Sequence, residues 1–277
     1  MPELPEVESL TRAIRVVLEG SRLESAQFLR PDLRTPIPIE VFRSLLEGEV
    51  IEAVTRRSKY MLIKSRNGYG VFHLGMTGKI LEQDSPVPRL PHTHAVFAVR
   101  KPRGKVTYLH FVDPRRFGRI EAMPLDQLSK HELFVNLGPE PLECEDLGDH
   151  LYRLSRGRKA PIKNFIMDAH TVVGVGNIYA SEALFRAGIN PRRKAGLVSY
   201  EKYKILSLSI KETLSDAIAA GGTTFRDFKT PDGNPGYFVV ALNVYDRVGQ
   251  ACKKCASTIR QIKQGGRSTF FCPVCQK

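Results

Sequence analysis

Four of the five cysteines fall within the last 26 residues, as Cys252-Lys-Lys-Cys255 and Cys272-Pro-Val-Cys275 with sixteen residues between the pairs. Two C-x-x-C turns about 15–20 residues apart have the spacing of a zinc site. Each turn supplies two thiolates, and four thiolates close a tetrahedral shell with no open position, so the expected ion is one structural Zn2+. Paired disulfides or a redox dithiol are the alternative. They fit poorly with an N-terminus that lacks a charged segment followed by an apolar one, the mark of a secreted chain. A cytoplasmic protein is expected. Arg260, Lys263, Gly265-Gly266 and Arg267 lie between the pairs and suggest a β-hairpin whose tip presents a cation. Cys144 stands apart and is expected to be a partly buried thiol.

The other end of the chain is equally constrained. Met1-Pro-Glu-Leu-Pro-Glu-Val-Glu8 opens a stretch in which Val7, Leu10, Ile14 and Val17 recur at three- and four-residue spacing, which predicts an amphipathic helix over 5–18. Pro5 suits the first helical turn, and Glu6 and Glu8 complement its positive end. The same residues support a chemical reading. If Met1 is removed, Pro2 becomes a free secondary amine with a reference pKa near ~8, able to attack an electrophilic carbon and form an iminium, with Glu3 beside it for proton transfer. On these residues alone, a capped helix start and a nucleophilic site both stand.

From about Leu23 to Met123 the pattern changes to short alternating or apolar runs at 50–55, 60–64, 69–74, 94–99, 106–112 and 118–122, punctuated by Gly, Pro, Asn and Asp. This predicts an antiparallel sandwich or barrel. Three turns within it admit two readings each. Arg56-Arg57-Ser58-Lys59 is a solvated turn or a phosphate contact. In Asp113-Pro-Arg-Arg-Phe-Gly118 the aromatic either packs under a surface turn or forms a wedge for a base stack, flanked by cations. Met76, after Gly75, belongs to the core or is displayed by the turn.

Residues 131–150 read as an interdomain linker. Helical patterns follow at 147–156, 161–168, 178–187 and 199–219. Gly174-Val-Gly-Asn177 precedes the third of them, with Asn177 as an expected N-cap and the glycines as either an anion-binding approach or an ordinary turn. The glycine-rich run 221–236 is a long loop of the kind that carries function or is disordered.

Lysine and arginine outnumber the acids 42 to 29, a formal charge of +13, which points to a polyanionic partner. No basic amphipathic helix or long apolar run favours a membrane surface, so nucleic acid is expected.

These motifs together resemble the bacterial formamidopyrimidine-DNA glycosylase (Fpg/Nei) family along the whole chain: Pro2–Glu8, Arg56–Tyr60, His73–Met76, Asp113–Gly118, Leu137–Pro141, Gly174–Glu182, Gly221–Thr224 and the zinc hairpin. The resemblance implies an α+β multidomain fold. Residues 1–130 would form an N-terminal catalytic antiparallel β-sandwich with a leading helix and 131–150 the linker. A helical helix-two-turns-helix DNA-binding domain would cover 151–237 and a zinc-finger β-hairpin 238–277.

It further implies a base excision repair enzyme, a monomer acting on double-stranded DNA that contains oxidised purines. Such an enzyme excises 8-oxoguanine or formamidopyrimidines through a Schiff base and then cleaves the strand by β,δ-elimination. Pro2, Glu3, Lys59 and Arg267 would be catalytic, with Glu6 bonding backbone at the helix start. Met76, His94, Arg115, Arg116, Phe117, Lys163 and Asn177 would contact DNA, and Cys252, Cys255, Cys272 and Cys275 would hold zinc. Residues 223–237 would close over an everted base. One departure is Ser58, where the family usually has alanine or glycine. The competing expectations are a glycosylase for oxidised pyrimidines and a zinc-ribbon DNA-binding protein without catalysis.

Overall fold

The computed structural model describes residues 2–88, 90–222 and 242–277. These divide into two compact units, residues 2–135 with 221–222 and residues 136–220 with 242–277.

The first unit opens with helix α1 (Leu4–Leu18), whose stripe of Val7, Leu10, Ile14 and Val17 is buried as its spacing predicts. Two antiparallel four-stranded sheets follow. One has the order β1 (Arg22–Phe28), β6 (Thr93–Arg100), β7 (Val106–Val112), β5 (Lys79–Gln83), and the other β2 (Ala53–Arg57), β3 (Tyr60–Lys64), β4 (Gly68–His73), β8 (Arg119–Pro124).

Residues of both sheets share one apolar core with α1 and a second helix, α2 (Ile39–Leu46). At its centre the fully buried Phe42 ring lies 5.3 Å from Phe28, 6.0 Å from Phe72 and 5.5 Å from Phe97. Burying one such ring contributes about 1.5–3 kcal/mol.

Helix α2 corrects the all-strand expectation for 23–123. Eight residues following Pro36 and Pro38 give a weak periodic signal, and packing of Phe42 and Leu46 is what holds them helical. Strand β1 was hidden for another reason. A register shift between Leu23 and Ser25 breaks its alternation against β6.

In the second unit α3 (Leu147–Ser155), α4 (Ile162–Met167), α5 (Asn177–Arg186) and α6 (Tyr200–Ala219) fall where the periodicity places them. The chain ends in the hairpin β9 (Arg260–Gln264) and β10 (Arg267–Phe271), which packs on α5. Gly265 and Gly266 are both left-handed, with φ +53° and +75°, the two-residue turn that matches strand twist. The lesion-covering segment expected at 223–237 lies outside the described residues apart from the Gly221-Gly222 that precedes it.

Candidate functional site

In the first unit, Pro2 and Glu3 are buried at the N-terminal end of α1. Glu3 is the N-cap in extended backbone, and its N–H donates to Glu6 Oε2 at 2.8 Å. Glu6 thus bonds backbone at the helix start, one of the contacts that fix the approach of Pro2 to the helix.

The Ser58-Lys59 turn is tied to the same helix by Arg56. This arginine is not a solvated or phosphate-facing cation. Its side chain is 6 % exposed, its Nε donates to Glu8 Oε2 at 2.9 Å and its Nη1 donates to the Ser58 carbonyl at 2.9 Å. Burial raises the Glu8 carboxyl, but the guanidinium groups of Arg12 and Arg56 outweigh it and hold the group below its ordinary value. Ser58 itself sits at φ +56°, so the turn that carries Lys59 is held in a left-handed conformation from behind. His73 pairs across the sheet with Tyr60, the residue after Lys59. Burial first, and the Lys59 charge second, lower its pKa to about 4, so the ring is neutral and its Nδ1 accepts the Gly75 N–H at 3.0 Å.

Met76 and Phe117 project from two turns that are locked to each other. Gly75 has φ +61°, and a Cβ built there would run into the Phe117 backbone, so only glycine allows this approach. Asp113, fully buried, joins the two turns. Its Oδ1 accepts from Thr77 Oγ1 at 2.5 Å and its Oδ2 from the Gly118 N–H at 2.7 Å. The result displays Met76 (37 % exposed) beside Phe117 (41 % exposed), with the Arg115 guanidinium 4.7 Å above the Phe117 ring. Arg116, at φ +54°, is exposed in the same turn. Met76 and Phe117 are therefore outside the core, against the packed readings.

His94 is corrected by the structure. It is buried, and its Nε2 bonds the Asp113 carbonyl at 2.8 Å, so it props the Asp113 turn from inside instead of facing DNA. Sequence reasoning missed Asp113 and Thr77 as the lock, because their meeting across 36 residues is a tertiary event.

In the second unit Asn177 is the first residue of α5, not its N-cap. Gly176 occupies the cap and no side chain caps the helix. The amide of Asn177 is used otherwise: its Oδ1 accepts from Lys163 Nζ, and its Nδ2 donates to the Ser268 carbonyl at 3.0 Å. Lys163 is also corrected. At 1 % exposure it is turned inward and donates further to the Ser268 carbonyl at 3.1 Å and Thr269 Oγ1 at 2.7 Å, an arrangement with no reach to a phosphate. Arg267 is exposed at the hairpin tip and lines a cleft with Asn164, Asp168 and Gln264.

The Sγ atoms of Cys252, Cys255, Cys272 and Cys275 all lie within 4.8 Å of one another, with Cys252 3.9 Å from Cys275 and Cys255 3.5 Å from Cys272. A tetrahedron with Zn–S of about 2.3 Å has edges near ~3.8 Å, so the donor set fits one zinc ion. Backbone N–H groups of Lys254 and Cys275 point at Cys252 and Cys272 sulfur, each at 3.4 Å, as thiolates need. Two further buried residues hold the centre. The Gln276 side chain accepts from the Cys272 N–H and donates to the Ile189 carbonyl, and the Glu182 carboxylate accepts four N–H groups from Asn243, Val244 and Tyr245 at 2.8–3.0 Å. Glu182 ends a conspicuous motif, but nothing in the sequence identified its donors.

Models of three domains match the chain in order: the formamidopyrimidine-DNA glycosylase N-terminal domain over residues 1–120, the formamidopyrimidine-DNA glycosylase H2TH domain over 137–229, and a zinc finger found in FPG and IleRS over 249–277. Proteins named formamidopyrimidine-DNA glycosylase from Magnetococcus marinus and Xanthomonas campestris are each 47% identical over 278 residues, covering 100% of both chains. This chain belongs to the formamidopyrimidine-DNA glycosylase family. Among solved structures, the MutM (Fpg) protein of Thermus thermophilus superposes with a TM-score of 0.87 at 36% identity, covering 99% of this chain and 98% of that one. A Lactococcus lactis FPG mutant in complex with Fapy-dG-containing DNA gives 0.89 at 30% identity over 100% of both chains. Antiparallel sheets, the H2TH helices and a zinc-bearing β-hairpin are thus the glycosylase family's architecture. Among the described residues no helix is long and apolar enough to cross a membrane.

Proposed function

We propose that the protein is a bifunctional DNA glycosylase and AP lyase that excises oxidised purines, 8-oxoguanine and formamidopyrimidines, from duplex DNA. The observation that carries this reading is the burial of Pro2 and Glu3 together at the start of α1, backed by Glu6. Once Met1 is removed, the Pro2 amine stands at the start of α1, directly before Glu3.

With Met1 removed, the Pro2 nitrogen attacks C1′ and the base leaves with its electron pair, protonated as it departs. Opening of the sugar ring gives an iminium between Pro2 and C1′. Glu3 carries the acid-base proton transfers. The iminium acidifies the sugar protons. Loss of one from C2′ expels the 3′ phosphate, and a second elimination at C4′ expels the 5′ phosphate.

A base inside the stack cannot be reached, so it must be everted. Met76 and Phe117, exposed on two turns that Asp113 joins, have the shape and apolarity to fill the gap, with Arg115 and Arg116 at the backbone. Lys59 in the first unit, and Asn177 and Arg267 in the second, are phosphate contacts on this reading, and the excess of 13 positive charges supplies sequence-independent affinity. The Lactococcus lactis relative bound to Fapy-dG DNA supports this substrate class.

The deciding experiment is borohydride trapping on a duplex with 8-oxoguanine opposite cytosine, followed by sequencing of the conjugated peptide. An adduct at Pro2 is expected. No adduct on this duplex but trapping on thymine glycol would assign the protein to oxidised pyrimidines. Binding without trapping on either would make it a non-catalytic DNA-binding protein.

A further inference from the structure

Lys163 is the one lysine named in the site whose charge is buried inside the fold. Its ammonium reaches three acceptors on two other elements: Asn177 Oδ1 at the start of α5, and the Ser268 carbonyl and Thr269 hydroxyl on β10. Asn177 closes the triangle by donating to the same Ser268 carbonyl. Beside Lys163 on α4, the Asn164 amide lies against the hairpin turn, 2.5 Å from where a Cβ at Gly265 would be. Ser268 directly follows Arg267, so the backbone that Lys163 and Asn177 grip is the backbone that aims Arg267.

We propose that Lys163 is a positioning residue that registers the zinc hairpin on the H2TH helices, so that Asn177 and Arg267 face one DNA backbone at a fixed separation. The inference rests on the reading that Asn177 and Arg267 bind phosphate. Lys163 fixes which way the Asn177 amide points, because an ammonium can only donate and so takes the amide oxygen. The same cation pins β10 one and two residues beyond Arg267. A buried lysine bonded in this way is costly to leave half-satisfied, so each acceptor lost loosens the joint. Zinc shapes the hairpin and Lys163 places it.

The test uses the zinc-loaded full-length protein and a duplex containing a tetrahydrofuran abasic analogue. Lys163→Met should weaken binding about tenfold, the loss of about one charge-assisted contact, and should reduce the salt slope. In the Asn177→Ala/Arg267→Ala background the same substitution should have no further effect. Thr269→Val, which removes one acceptor, should reproduce a smaller loss, and Thr269→Ser should restore affinity; this pair serves if Lys163→Met does not fold. A full tenfold loss in the double background would show that Lys163 meets DNA itself and would overturn the proposal, as would unchanged affinity of both Lys163→Met and Thr269→Val. If Asn177→Ala/Arg267→Ala alone binds normally, the phosphate reading of those two residues has failed, which is a different result.

Discussion

The Thr77 hydroxyl donates to Asp113 Oδ1 at 2.5 Å and so joins the turn that displays Met76 to the turn that displays Phe117. Because the Asp113 carboxylate also holds the Gly118 N–H and its carbonyl is held by His94, one buried residue sets the spacing of both proposed wedge side chains. Rigidity matters here, since a wedge that yields cannot offset lost stacking.

Asp113→Ala should destabilise the first unit by about 2–3 kcal/mol, the scale of hydrogen bonds to a buried charge, and Thr77→Val by about 1 kcal/mol. Urea denaturation measures both. Equal stability of Asp113→Ala and wild type would remove the carboxylate as the lock. Fluorescence of 2-aminopurine opposite a lesion should report slower gap filling in both variants.

His73 gives the same region a pH dependence. Its pKa is lowered in the fold to about 4, from an ordinary 6.5, so the unfolded chain binds the extra proton first. The contribution is fully present above about pH 6.5 and is lost as pH falls towards about 4, up to roughly 3 kcal/mol at about 1.4 kcal/mol per unit. His73→Asn keeps an acceptor for the Gly75 N–H but cannot titrate. Its stability should change less between pH 7 and pH 4.5 than that of wild type; identical slopes would exclude His73 as the titrating group.

Glu182→Ala should cost at least about 3 kcal/mol, because four N–H donors of residues 243–245 lose a buried carboxylate. Glu182→Gln should recover only part of this, as its NH2 would face donors. Hydrogen exchange at the amides of Val244 and Tyr245 is the direct measurement, and wild-type protection in Glu182→Ala would refute the role.

Removing zinc with a chelator should unfold the 249–277 hairpin while the first unit keeps its cooperative melting, because the metal's binding energy is folding energy for so small a hairpin. Limited proteolysis should cut within these residues, and duplex affinity should fall. A metal-free protein with full affinity would contradict the expectation.

Local rules made much of this molecule readable from its residues. Thiolate spacing specified the zinc hairpin, apolar periodicity located α1, α3, α4, α5 and α6, and alternation marked six strand runs. Gly265-Gly266 fixed the hairpin turn. Each depends on neighbours a few residues apart, so the chain carries the information in its order. What escaped was where a polar side chain points. Arg56, His94 and Lys163 have the composition of a DNA-facing surface, yet each is buried and spends its donors inside the fold, on Glu8 and Ser58, on Asp113, and on Asn177, Ser268 and Thr269. Those partners lie up to 106 residues away. A cation's affinity for phosphate or for a buried carbonyl is the same chemistry, and only the packing of distant elements, which exclude water from one and leave the other open, decides which it meets.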